Sequence, residues 1–190
     1  MRSFTLVEIV VVISIVLILT VLAFPNFRDA SSKFALDRSA YRLAQDLRGA
    51  EEMAISSQIP PSRFGSSLFP KGGYGLYFKK NSNSYILFAD CDGDGKYDSG
   101  EGKPNAENCS EAAEIRPFPE KIKDIYFELK IQTGTLSPMS MEDNSLSITF
   151  FPPDPTVKIY PLASTASIEL FFGNKSKNVS ISSNGLIEIH

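Results

Sequence analysis

Imidazole is nearly missing from this 190-residue chain, whose one histidine is His190 at the end of the sequence. A serine or cysteine nucleophile inside the domain therefore has no evident base, and composition gives catalysis little support. Cysteine is almost as scarce. Cys91 and Cys109 are the only two, too few with one histidine for a zinc site. Positive charge is not in surplus either, since 19 Lys and Arg stand against 22 Asp and Glu. That balance leaves no electrostatic footprint for nucleic acid. Lys175 and Lys177 are the only candidates for such contacts, and two lysines in a turn read more simply as solvent-facing charge.

Charge is absent most sharply near the N-terminus. From Phe4 to Phe24 the only charged residue is Glu8, and Thr5, Ser14 and Thr20 are the only other polar side chains. As a helix this run of about 21 residues reaches ~32 Å, enough for a hydrocarbon core of ~30 Å. It also exceeds the apolar region of about 7–15 residues of a cleaved signal peptide and lacks an A-x-A-like cleavage site. A membrane-spanning helix is the expectation, with Arg2 held in the cytoplasm by the positive-inside bias. Glu8 is harder to place. A carboxylate inside lipid costs roughly 2.5–3.5 kcal/mol and calls for a partner, whereas one near the helix start sits at headgroup depth and meets the positive end of the helix dipole. The residues alone leave both readings open.

Beyond Pro25 the helical pattern resumes. Phe27, Ala30, Phe34, Leu36, Tyr41, Leu43, Ala44, Leu47, Ala50 and Ala54 recur mainly every three or four positions, drawing an apolar stripe along one face. Asp37, Arg38, Asp46, Arg48, Glu51 and Glu52 fall on the other side, and Ile59-Pro60-Pro61 is expected to end the helix. One helix from about Phe4 to Ser57 follows. The rest reads as strands at Tyr74–Phe78, Ser84–Phe88, Ile122–Leu129, Leu146–Phe151, Ile168–Phe172, Val179–Ser182 and Leu186–Ile189. Ser183-Asn184-Gly185 is a hairpin signal, and Thr133–Ser145 reads as a loop. The expected fold is α+β, a long N-terminal helix with a transmembrane first half packed on antiparallel sheets. The segments are 1–3, 4–24, 25–57 and a β-rich domain over 58–190, about the usual domain size.

One loop stands out. Asp90-Cys-Asp92-Gly-Asp94-Gly95-Lys96-Tyr-Asp98-Ser-Gly-Glu101 fits D-x-[DN]-x-[DN]-G-x5-E, the pattern of a calcium loop. Oxygens from alternate residues of a tight turn converge on one hard cation, with the Lys96 carbonyl at the seventh position and Glu101 at the twelfth. Strand-like residues before it and Gly102-Lys103-Pro104 after it argue against flanking helices, so the loop is EF-like and set between sheet elements. The competing reading is a solvated acidic turn, which Asp and Gly favour without any metal. Cys91 and Cys109 bracket most of this loop. In an extracytoplasmic domain such a pair reads as a disulfide, with two free thiols as the alternative. Asn108-Cys-Ser110, Asn174-Lys-Ser176 and Asn178-Val-Ser180 match glycosylation acceptors, triplets that chance supplies often.

Phe4-Thr5-Leu6-Val7-Glu8, after a short basic leader, resembles the mature start of type IV pilins and type II secretion pseudopilins, and Pro25 falls where that family carries its helix-kinking proline. The resemblance implies cleavage between Ser3 and Phe4 by a prepilin peptidase, N-methylation of Phe4, and assembly on an inner-membrane platform into a pilus or pseudopilus. It further implies that Glu8 pairs with the N-terminal amine of a neighbouring subunit. The family usually has Gly before the cut, and this chain has Ser3. Leu43-Ala44-Gln45-Asp46-Leu47-Arg48, Gly73-Tyr74-Gly75-Leu76-Tyr77-Phe78, Ile148–Asp154 and Val179–Ile189 extend the likeness to H-type pseudopilins and FimT-like minor pilins. The implied role is structural, with a domain outside the cytoplasmic membrane. A DNA-uptake minor pilin and a membrane-anchored enzyme are the alternatives.

Overall fold

The computed structural model describes residues 5–59, 69–91, 93–98, 121–128, 130–152 and 156–190, with backbone alone for 23–29. The chain divides into two units, residues 1–35 and Leu36–His190. One helix, α1 (Leu6–Ile55), is followed by β1 (Gly73–Lys79), β2 (Ser84–Asp90), β3 (Lys121–Tyr126), β4 (Gln132–Ser137), β5 (Ser145–Phe151), β6 (Thr156–Tyr160), β7 (Thr165–Phe172), β8 (Lys175–Ser182) and β9 (Ile187–Ile189). The fold is α+β, and every strand pair is antiparallel.

Both ends of α1 are capped by local chemistry. At the start, the Thr5 backbone N–H and hydroxyl donate to Glu8 Oε2, each at 3.0 Å, and the Glu8 N–H donates to Thr5 Oγ1 at 3.3 Å. This is a reciprocal capping box. At the far end Ser57 takes φ 51°, and Gln58 N–H reaches Met53 O at 3.1 Å while Ser57 N–H reaches Ala54 O at 3.2 Å. Those two bonds form a Schellman closure. It stops the helix at Ile55, five residues ahead of Pro60, and the proline pair expected to end α1 lies outside the described residues. The helix bounds pass through Pro25, whose side chain lies outside the described residues.

In the second unit, Leu36, Ala40, Leu43, Leu47, Ala50 and Ala54 are buried, at alternating steps of four and three. Phe34 and Tyr41, expected in that stripe, are 66% and 61% exposed, and Ala30 is exposed too. Ala35 and Ser39 are buried instead. The buried face of α1 lies against two sheets, ordered β3-β2-β1-β5-β6 and β4-β7-β8-β9. Tyr85 on β2 donates its hydroxyl to Asp46, and Lys177 on β8 pairs with Asp37 at 2.8 Å. Because side chains alternate along a strand, Tyr85 marks the face that also carries Leu87 and Ala89, and Lys177 the face with Val179 and Ile181. All five apolar or aromatic members of these rows are buried.

Two strands were not legible as such. β4 overlaps the segment Thr133–Ser145 that reads as a loop, and β6 follows Pro152 and Pro153 closely. Each stands at the edge of its sheet, where polar residues and nearby prolines are tolerated because only one side of the ladder is paired. β4 also shifts register between Thr133 and Leu136. There Glu169 Oε2 accepts from Thr135 N–H at 3.0 Å, and Gly134 leaves the space this carboxylate fills, since a Cβ would stand 2.7 Å from it. The hairpin signal holds: β8 pairs with β9, Gly185 adopts φ 81°, and its N–H bonds Ser182 O at 2.9 Å. Lys175 and Lys177 lie on β8 rather than in a turn.

Candidate functional site

Two regions carry the residues that the sequence singles out. The first is the N-terminal stretch of α1. Every large apolar side chain from Leu6 to Leu22 is exposed, between 51% and 79%, and these residues surround the helix rather than marking one face. The few polar groups turn inward on the helix itself. Ser14 Oγ donates to Val10 O at 2.8 Å and Thr20 Oγ1 to Val16 O at 2.7 Å, while Thr5 and Glu8 satisfy each other in the cap. Among the described residues no helix is long and apolar enough to cross a membrane. The apolar side chains described without a break, Leu6 to Leu22, cover about 17 residues or ~25 Å at 1.5 Å per residue. The sequence-based run extends further at both ends, to Phe4 and Phe24.

Glu8 is thus found in the cap, with partners from its own helix. The signal was present in the sequence as Thr5-x-x-Glu8 ahead of an apolar run, and it identifies Thr5 as a residue that the reading of Glu8 passed over. Ser3 and Phe4, the expected processing residues, lie outside the described residues.

The second region is the acidic loop, which lies on the face of the first sheet opposite α1. Asp90 is fully buried. Its Oδ1 accepts from Gly93 N–H at 2.7 Å and its Oδ2 from Gly95 N–H at 2.8 Å, so the loop wraps its own first carboxylate. Gly93 and Gly95 take φ 84° and 83°, a left-handed geometry that aims both N–H groups inward at little steric cost. Gly72 completes the seat. A Cβ there would stand 2.1 Å from the Asp90 carboxyl carbon.

The loop is fastened to the sheet beneath it. Thr149 Oγ1 donates to Gly95 O at 3.1 Å and Tyr97 N–H to Ser147 Oγ at 3.3 Å. The Tyr97 ring packs on Tyr77 and Phe88, with centroids 4.7 and 5.5 Å away. This explains why β5 is buried on both faces: Leu146, Ile148 and Phe150 point to α1's side, and Ser147 and Thr149 meet the loop. Lys158 Nζ donates to Gly93 O at 3.3 Å and stands 3.6 Å from the Phe151 centroid. Asp94 Oδ1 accepts from Lys96 N–H at 2.7 Å.

Of the expected calcium ligands, Asp90, Asp94, Lys96 and Asp98 are described, and Asp92 and Glu101 lie outside the described residues. Among the described residues no group of three acid, histidine or cysteine side chains gathers to hold a metal. The part shown for Asp90 is to fold the loop, while Asp94, Asp98 and the Lys96 carbonyl offer hard oxygen donors of the type calcium takes. Cys91 is buried, and its Sγ lies 3.4 Å from Ala89 O. Cys109, the only other cysteine in the sequence, lies outside the described residues.

The expected nucleic-acid candidates are engaged elsewhere. Lys177 pairs with Asp37 of α1, and Lys175 also has a partner. Compared with protein-family models, with curated proteins and with solved structures, the chain finds no match in any of the three.

Proposed function

We propose that this protein is a structural subunit of a membrane-based filament, of the type IV pilin and pseudopilin class. It is held in the cytoplasmic membrane by the start of α1, with the second unit outside the cytoplasm, and is joined to other subunits through that helix. The observation that carries the reading is the surface of Leu6–Leu22, apolar on all sides, with its hydroxyls and Glu8 bonded within the helix. Water would not tolerate so continuous an apolar surface, whereas lipid and neighbouring apolar helices require polar groups to be satisfied internally. In the filament, Glu8 exchanges its Thr5 cap for the N-terminal amine that cleavage between Ser3 and Phe4 by a prepilin peptidase would create. A buried pair of this kind fixes register more than it adds stability. Partners are therefore other pilins or pseudopilins and an inner-membrane assembly platform, and no enzymatic role is assigned.

The test is direct. Filaments sheared from cells should contain the chain beginning at N-methylated Phe4, read by mass spectrometry. A chain that keeps Met1 and remains a lone monomer in the membrane would overturn the proposal.

We also propose that the acidic loop holds a structural calcium ion, and that Cys91 and Cys109 close the segment around it. Asp94, Asp98 and the Lys96 carbonyl, with Asp92 and Glu101, would supply the oxygens, and the ion would neutralise carboxylates that otherwise repel one another. Asp90 has already fixed the loop's curvature. Calorimetry on the full chain in detergent should show heat and a raised Tm at millimolar calcium, both lost in Asp92→Ala with Glu101→Ala. No heat and no thermal shift would sink the calcium reading and leave the filament reading intact.

A further inference from the structure

Folding sorts the charges of α1. Between Leu36 and Ala50 its two acids turn toward the sheets, where Asp37 meets Lys177 and Asp46 meets the Tyr85 hydroxyl. Arg38, Arg42 and Arg48 are left outside, all exposed, around a Tyr41 ring that is 61% exposed. Arg38 also reaches Glu128 at 3.2 Å. The outward side of this part of α1 is therefore a basic ridge with an aromatic centre.

A feature of opposite sign lies across the sheet. The turn between β4 and β5 carries Met141, 100% exposed, followed by exposed Glu142 and then Asp143. Its backbone is fixed by Ser140 N–H to Ser145 O at 2.8 Å and Asn144 N–H to Ser140 O at 3.1 Å. Asp143 is held by the Tyr77 hydroxyl at 3.2 Å and the Ser145 hydroxyl at 2.5 Å. Tyr77 neighbours Phe78 in sequence and so points away from the α1 side of the sheet. The ridge and the turn are on opposite faces, and one copy cannot bring them together.

We infer that the ridge of one copy docks on the Met141 turn of a second copy, the sulfur and methylenes of Met141 against the Tyr41 ring and the arginines around Glu142 and Asp143. Thioether and aromatic edge attract, and opposite potentials orient the encounter. The two surfaces differ, so the contact is heterologous: each copy that uses its ridge still offers its turn, and the rotation between copies sets whether the series runs on as a filament or closes as a ring. The inference takes its setting from the filament reading above, but its contact is tested separately.

Full-length chains carrying Tyr41→Cys are co-expressed in membranes with chains carrying Met141→Cys and treated with a short bis-maleimide. Cross-linking between the two variants is expected, with far less within either variant alone. Adding Arg42→Glu and Arg48→Glu to the Tyr41→Cys chain should lower the yield at least about tenfold, and Glu142→Lys in the Met141→Cys chain should restore it. No cross-link in the native-charge background overturns the contact, as does a yield that ignores the charge reversals. Filaments that form and depend on Glu8 while no cross-link appears would sink this contact alone. Cross-linking in cells without filaments would sink the filament reading and keep the contact.

Discussion

Substitution at Glu8 separates two jobs that one carboxylate can hold. Within a single chain Glu8 accepts from the Thr5 N–H and hydroxyl at 3.0 Å, an exposed local cap whose loss is a small, solvent-screened perturbation. That is too little to unfold α1, whose later half is buried against two sheets, and removing the carboxylate makes insertion into lipid easier. Thr5→Ala breaks the cap and keeps the charge. Glu8→Ala and Glu8→Leu break the cap and remove the charge. If the carboxylate serves a neighbouring subunit, Thr5→Ala should enter filaments at close to the normal level, while both Glu8 variants should fractionate with membranes and be depleted at least about tenfold from sheared filaments. Immunoblots of membrane and sheared fractions read both quantities. Normal incorporation of both Glu8 variants would refute the assembly role, and equal loss in Thr5→Ala would assign the effect to the cap.

Leu47 is fully buried on α1, so Leu47→Ala should cost about 2–5 kcal/mol, seen as a lower Tm without loss of membrane association. At Gly75 a Cβ would stand 2.6 Å from Ile148 O and 2.8 Å from the Phe88 ring; Gly75→Ala should therefore destabilise by about 1–3 kcal/mol in thermal melts. Burial pushes the Tyr74 hydroxyl up to about 12, and burial followed by the bond to Asp46 raises Tyr85 further. Folded values above the unfolded value of about 10 mean that their contribution is complete below pH ~10 and lost as pH rises through the folded values. Stability measured by denaturant titration should accordingly fall above pH ~10, and less so in Tyr85→Phe. Glu169 is held below the usual carboxylate range, first by the Thr135 N–H. Its contribution is present above the unfolded value and lost as pH falls through the lowered folded one, so protection of the Thr135 amide, taken relative to its intrinsic exchange rate at each pH, should fall under acid, and Glu169→Gln should flatten that dependence.

Much of the architecture could be read from local pattern. Leu36, Leu43, Ala44, Leu47, Ala50 and Ala54 of the expected stripe are buried, β1, β2 and β5 lie where short runs of aromatic and branched residues place them, and the turn forms at Ser183-Asn184-Gly185. The exposed positions of Phe34 and Tyr41 could not be read in this way. Both fit a stripe of apolar residues, but beside the sheets of the second unit it is Ser39 and Ala40 that are buried, not the Tyr41 ring. β4 and β6 were hidden for a related reason. An edge strand takes its identity from one neighbour: β4 pairs with β7, far along the chain, and β6 pairs with β5 just before it, past the prolines at 152 and 153 that break the local strand pattern.

For the candidate sites the division is similar. Sequence alone determined that one acid stands in an otherwise uncharged apolar run, that it follows Thr5 at cap spacing, and that carboxylates alternate around Gly93 and Gly95. Those facts depend on neighbours a few residues apart, whose geometry the backbone fixes. Tertiary structure decided that Asp90 is swallowed by its own loop, that Asp37 and Asp46 face inward while three arginines remain outside, and that the loop rests on Ser147 and Thr149. Apart from the local bonds of Asp90 to Gly93 and Gly95, these outcomes depend on partners distant in sequence, because the sign and depth of a charge are set by whatever the fold brings against it.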